Sequence, residues 1–126
     1  MKKIFLYTLF LSFAASYAQQ EAANWYFGNN AGIQFNYITD TVTPVDDGQL
    51  FTEEGCTSIS DANGNLLFYS NGVNVYNSQH TIMENGTGLK GNQSSTQSAI
   101  IIPKPGAANI YYIFTVDTDF SGDPDE

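Results

Sequence analysis

Apolar and polar positions in this chain fall into short runs parted by turn-forming residues. Ser58-Ile59-Ser60 leads through Asp61-Ala62-Asn63-Gly64-Asn65 into Leu66-Leu67-Phe68-Tyr69-Ser70. Asn71-Gly72 then precedes Val73-Asn74-Val75-Tyr76-Asn77. An Asn-Gly pair between extended runs is a strong hairpin signal, because a type I′ turn needs positive φ at both central residues. These segments predict an antiparallel three-stranded meander. Further on, Ala99 to Ile102 predicts a strand closed by Pro103, and Pro105-Gly106 turns into a second strand over Ile110 to Val116. No window carries the i, i+3, i+4, i+7 spacing of an amphipathic helix. The class is all-β.

Val73 and Val75 alternate with asparagines, as in a strand with one wet face. Leu66 to Tyr69, Ile100 to Ile102 and Ile110 to Phe114 are apolar at successive positions, which predicts burial on both faces. A sheet buried on both sides lies between two other layers. A repeat agrees with stacked sheets. Leu67-Phe68-Tyr69-Ser70 resembles Ile113-Phe114-Thr115 at a separation of about 46 positions, and Trp25-Tyr26-Phe27-Gly28 is a weaker copy about 41 positions upstream, the spacing of four-stranded propeller blades. The expected architecture is antiparallel four-stranded blades of a β-propeller-like fold, incomplete in this chain: about two blades plus an N-terminal strand over residues 19–126. Propellers close with at least four blades, so the remainder of a longer polypeptide is expected.

The first 18 residues read as a signal peptide. Lys2-Lys3 forms a positive n-region, and Ile4 to Ala15 is apolar apart from Thr8 and Ser12. Small residues at Ser16 and Ala18 set cleavage between Ala18 and Gln19. As a helix that apolar run spans about 18 Å at 1.5 Å per residue, short of the roughly 30 Å hydrocarbon layer. No later segment is apolar for long enough to span a membrane, so the mature chain is expected to be exported, extracellular or on the cell surface.

Charge narrows the partners. The net charge is −9, with four cations against thirteen carboxylates. Lys2 and Lys3 belong to the leader, which leaves Lys90 and Lys104. Such a surface repels phosphate backbones, and nucleic acid is excluded as a partner. Cys56 is the only cysteine and His80 the only histidine. No intrachain disulfide forms, and no zinc site of ordinary ligand count can be built. Cys56 is expected to be a small buried hydrophobe.

Several segments together carry a family resemblance: Asn24-Trp25-Tyr26-Phe27-Gly28-Asn29-Asn30-Ala31-Gly32, Glu54-Gly55-Cys56-Thr57-Ser58-Ile59-Ser60-Asp61, Gly64-Asn65-Leu66-Leu67-Phe68-Tyr69, Asn85-Gly86-Thr87-Gly88-Leu89 and Ser94 to Gly106. In this order they resemble the N-terminal region of large secreted proteins of gliding bacteria. In that family a propeller-like region precedes further modules and a C-terminal type IX secretion sorting domain (type B, gliding-motility-associated). The resemblance covers nearly the whole mature chain. It implies a cell-surface or released protein with a binding, adhesive or scaffolding role and no established catalytic residues.

Candidate chemistry is sparse. Asp117, Asp119, Ser121 and Asp125 fall at the oxygen positions of a Ca²⁺ loop, with Gly122 at the sixth place. The run also reads as a solvated acidic connector, stiffened by Pro124. No other cofactor is implied. Gly86-Thr87-Gly88-Leu89-Lys90-Gly91 fits the dinucleotide glycine pattern but lacks the following helix and acid, so a glycine loop is expected. His80 and Cys56 would need a third orienting group to act as base and nucleophile. Trp25, Tyr26, Tyr76 and Tyr111 are candidates for an aromatic platform stacking on sugar rings; alternation sets Trp25 and Phe27 on one face and Tyr26 on the other. Filling the spaces between sheets is their competing role. The expected function is a non-enzymatic surface protein binding polysaccharide or protein. The alternative is the N-terminal part of an extracellular polysaccharide hydrolase with a carboxylate pair in the propeller's central channel, which requires catalytic residues from blades outside this chain. Pairs such as Asp46-Asp47 and Glu53-Glu54 could serve only at a particular separation, and alanine at Asp46, Asp47, Asp61 and Asp117 would test whether this segment takes part.

Overall fold

Eight strands follow one 3₁₀ turn at Gln20–Ala22 in the computed structural model, which describes residues 20–118. They are β1 (Asn24–Tyr26), β2 (Gly32–Asn36), β3 (Thr41–Val45), β4 (Thr57–Ser60), β5 (Leu66–Ser70), β6 (Val75–Asn77), β7 (Ala99–Pro103) and β8 (Tyr111–Thr115). They form three antiparallel sheets in chain order, β1-β2-β3, β4-β5-β6 and β7-β8. Sheets of three, three and two strands stand where four-stranded blades were expected. The expected signal peptide, its expected Ala18–Gln19 cleavage position and most of the acidic C-terminal run lie outside the described residues. Among the described residues no helix is long and apolar enough to cross a membrane.

The turns follow the local chemistry. Asp61 folds its loop by accepting the backbone N–H groups of Asn63 and Asn65 (2.8 and 2.9 Å) and the Asn65 amide (2.9 Å), and Gly64 supplies a positive φ of 84°. The Asn71-Gly72 connection is not the two-residue I′ hairpin that was expected. Only Gly72 has positive φ, and Ser70 pairs with Val75, so the loop holds four residues. The Asn71 side chain explains the longer loop, because its Oδ1 accepts from Val73 and Asn74 while its Nδ2 donates to the Phe51 carbonyl.

Sheet β4-β5-β6 is the middle layer and is covered on both sides, as the apolar run of β5 predicted. A β-bulge makes this possible. Ile59 pairs with Phe68, but Ser60 pairs with Leu66, so Leu67 is the extra residue. Leu66 and Tyr69 therefore join the cluster of Tyr26 and Leu50 against the first sheet, while Leu67 and Phe68 join Ile59 and Val75 against the third. Tyr69 and Leu50 are fully buried. Burial of a side chain of this kind stabilises by roughly 1.5–3 kcal/mol.

The third sheet departs from the expectation of two buried faces. Ile101, Tyr111 and Ile113 pack on the middle layer. Ile100, Ile102, Tyr112 and Phe114 point the other way and are exposed, Phe114 at 54 %. Among the described residues this two-stranded sheet has a neighbouring layer on one side only.

Between sheets, close backbone approach is concentrated in the first strands, β1 against β4 and β4 against β7. There the packing is polar and small. Asn24 donates to the Ser60 hydroxyl and the Gly64 carbonyl (both 2.9 Å), and Ser58 donates to the Asn24 carbonyl. Thr52 and Ser98 donate to the Gly55 carbonyl, and a Cβ on Gly55 would meet Ser98 N at 2.3 Å. Among the described residues no buried side-chain nitrogen or oxygen lacks a partner. Such satisfaction lets polar groups sit inside without the desolvation penalty of an orphan.

Beyond β6 the middle sheet ends in an irregular edge rather than the expected fourth strand. Residues 82–91 run along β6: Tyr76 bridges Ile82, Val75 N–H donates to Gly86 O, and Leu89 N–H donates to Val73 O. Gly91 N–H reaches Gly72 O at 3.0 Å. The glycine pattern read as a loop is this edge segment, and Gly91 is required because a Cβ there would sit 2.6 Å from Gly72 O.

Candidate functional site

A linked aromatic and polar cluster occupies the junction of the first two sheets. Tyr26 stacks on Tyr69 with ring centroids 4.6 Å apart, and Tyr69 stacks on Tyr76 at 5.2 Å. Alternation in β1 turns Tyr26 inward and Trp25 outward, as expected. His80 reaches the cluster from the tight turn after β6. Asn77 builds that turn by accepting from Gln79 and Thr81, and His80 itself has φ of 60°. Asp47 arrives from the connection after β3.

Gln49 N–H donates to the Tyr69 hydroxyl oxygen at 3.1 Å, and the same hydroxyl lies 3.0 Å from Nδ1 of His80. Nε2 of His80 faces Asp47 Oδ2 at 3.3 Å. The other Asp47 oxygen accepts from the Tyr26 hydroxyl at 3.0 Å. The Tyr26 phenol is pushed well above its ordinary value, first by burial and then by the Asp47 carboxylate that it donates to. Burial also raises Tyr69, and the Gln49 N–H works against that rise.

The series Tyr69–His80–Asp47 has the outline of a nucleophile, base and orienter. Its electrostatics run the other way. An activated nucleophile needs a depressed pKa or an accessible hydroxyl, whereas Tyr69 is raised and fully buried. The cluster holds the β3–β4 connection against the middle sheet. His80 uses its ring nitrogens on Tyr69 and Asp47 rather than on Cys56. Cys56 is half-buried against the Tyr26 cluster, and burial pushes its thiol up.

The four aromatic platform candidates do not form one surface. Tyr26 and Tyr76 sandwich Tyr69 inside the stack. Trp25 lies on the outer face of the first sheet, edge-on to Phe35 at 5.3 Å, with its indole N–H on Ala22 O. Tyr111 packs edge-on against Phe68 at 5.3 Å between the second and third sheets. The need for aromatic bulk between layers claims three of the four. Among the carboxylates, Asp47 serves Tyr26 and His80, and Asp61 serves its own loop. Of the Ca²⁺ candidates only Asp117 is described; its carboxylate accepts Thr118 N–H at 2.7 Å. Asp119, Ser121 and Asp125 lie outside the described residues. Among the described residues no group of three His, Cys, Asp or Glu side chains is placed to hold a metal.

The sheets open away from their first strands. Between the outer part of the middle sheet and β8 lies a cleft of about 610 Å³, floored by Leu67, Phe68, Val75 and Met83 and walled by Tyr111 and Ile113, with Glu84 at its rim. Sequence reasoning missed it because the cleft depends on which strand edge each sheet leaves open. No protein-family model, curated protein or solved structure matches this chain. The site is therefore read from its own geometry.

Proposed function

We propose that the chain is an exported, non-catalytic binding or scaffolding protein whose sheets stack like propeller blades, with polysaccharide or a surface protein as its partner. One observation carries this reading. The first strands of successive sheets lie against one another through small polar residues, while the outer strands diverge around an apolar cleft. Wedge-shaped layers of this kind present loops and edges on a rigid frame, which suits binding rather than bond-making. The resemblance to secreted proteins of gliding bacteria and the leader over residues 1–18 support a cell-surface or released location. They also support membership of a longer polypeptide.

The test is to express the full chain in a Gram-negative host and follow it by fractionation, mass spectrometry and retention on insoluble polysaccharides. A mature N-terminus at Gln19 outside the cytoplasm, retention on at least one matrix and no release of reducing sugar are expected. Unprocessed cytoplasmic protein overturns the exported part. Sugar release that survives purification overturns the non-catalytic part.

A further inference from the structure

We propose that the polar cleft between the end of β2 and the Asp61–Asn65 loop binds one neutral sugar ring, gripped by carboxamides that the fold fixes at one end and leaves open at the other. This deepens the binding reading above and rests on it, adding the ligand class and the site.

The strands set the amides in place. Gln34 and Asn36 lie two positions apart in β2 and share the face on which Asn24, paired with Gln34 in the register, meets Ser60 of β4. Asn24 Nδ2 donates to the Ser60 hydroxyl and the Gly64 carbonyl, and Asn24 Oδ1 accepts from Gln34 Nε2 at 3.0 Å. Asn36 Oδ1 accepts the backbone N–H groups of Ile38 and Thr39 at 3.0 and 3.1 Å. From the facing loop, Asn65 Nδ2 donates to Asp61 Oδ2 at 2.9 Å. Each carboxamide plane is thereby held by one end. Among the described residues no hydrogen bond reaches the opposite ends, which are Oε1 of Gln34, Nδ2 of Asn36 and Oδ1 of Asn65.

The chemistry of the lining selects the ligand. Gln34, Asn36 and Asn65 line a cleft of about 240 Å³ together with Gln20 and Asn63, and no charged side chain lines it. That volume is below the roughly 300–1,000 Å³ of sites for drug-sized ligands, so it suits a single ring. Two acceptors and a donor match vicinal hydroxyl groups, each of which both donates and accepts. An anion finds no cation here and meets a net charge of −9. Tyr37 and Ile38 border the cleft and are exposed, which provides apolar contact for the C–H side of a sugar. Because the amides are already oriented, little side-chain freedom is lost on binding. None of Trp25, Tyr26, Tyr76 and Tyr111 lines this cleft.

The experiment titrates the full chain with cellohexaose, laminarihexaose and maltohexaose, and with an alginate oligomer as the acidic counterpart. Saturable binding of at least one neutral oligomer below about 5 mM is expected, with the Asn36 side-chain NH₂ signals displaced in nitrogen-15 correlation spectra. Alginate is expected not to bind. Asn36→Asp keeps the acceptor for Ile38 and Thr39 but has no N–H to offer, so it is expected to weaken binding at least about fivefold while the melting temperature holds. Failure of all three neutral oligomers to bind overturns the proposal, and so does equal binding of alginate. Unmoved Asn36 NH₂ signals at saturation overturn it as well. Binding that Trp25→Ala abolishes and Asn36→Asp leaves intact would place the sugar on the outer face of the first sheet instead. Retention on insoluble polysaccharide that survives Asn36→Asp keeps the reading of the preceding subsection and removes this one.

Discussion

The Tyr69 hydroxyl lies 3.0 Å from Nδ1 of His80 and is held there by the Gln49 N–H on its other side. One buried oxygen thus ties the middle sheet to two connecting segments. Tyr69→Phe leaves Gln49 N–H without its acceptor and is expected to cost about 1–3 kcal/mol in denaturant unfolding. His80→Asn tolerates the left-handed backbone and loses only the ring contacts, so its cost is expected to be smaller. Equal stability of Tyr69→Phe and the parent would show that the clasp contributes nothing.

Alkaline pH is expected to unfold the protein through the same cluster. Tyr26 and Tyr69 are both raised in the folded state, chiefly by burial. Their contribution is complete below the unfolded phenol value of about 10 and is lost as pH rises through the folded values. Phenolate absorbance from these two rings should appear together with the loss of near-ultraviolet circular dichroism. Tyr26→Phe should shrink that cooperative step, and ionisation without unfolding would contradict the assignment.

Acid acts at a different place. The Asn65 side chain leads the hydrogen bonds that hold the Asp61 carboxyl below its usual range. Its contribution is present above the unfolded value of about 3.9 and disappears as pH falls through the lower folded value. Asp61→Ala should lower the melting temperature at neutral pH and flatten the acid limb of the stability curve. Asp61→Asn, which keeps an acceptor oxygen, should lose less.

Cys56 should be sluggish toward thiol reagents. Burial raises its pKa and keeps the thiolate scarce. Reaction with an aromatic disulfide is expected on the order of a hundredfold slower in the native protein than in denaturant. Equal rates would place the sulfur in solvent.

The edge segment after β6 gives a paired test. Gly91→Ala places a methyl group 2.6 Å from Gly72 O and should cost about 1–3 kcal/mol. Gly88→Ala meets nothing within 4 Å, but its φ of 72° makes alanine unfavourable by about 1 kcal/mol. Thermal unfolding of both variants separates crowding from backbone conformation, and a milder effect at Gly91 than at Gly88 would refute the close approach.

The meander β4-β5-β6 and the pair β7-β8 were legible because their turns carry Asp, Asn and Gly at the positions that the backbone needs. β2 and β3 were not read, although Ile33 and Phe35 alternate with Gln34 and Asn36. Pro44 obscured β3; it is tolerated because β3 is an edge strand opposite Ile33. The bulge at Leu67 was invisible, since an apolar run looks the same with or without an unpaired residue. The Tyr69–His80–Asp47 cluster could not be foreseen either, because the stacking of two sheets brings its members together. Trp25 and Tyr111, singled out as parts of one platform, pack against Phe35 and Phe68 on different sheets, a placement that only the stacking of the sheets decides.

Every strand pairs with the strand beside it in sequence. Hairpins of this kind close in about 1–10 μs, and short sequence separation keeps the entropy of closure small. The layers will therefore form in the order in which the chain emerges, each one supplying the surface on which the next condenses. A polypeptide released from one end into a crowded medium then shows its surroundings one raw layer at a time.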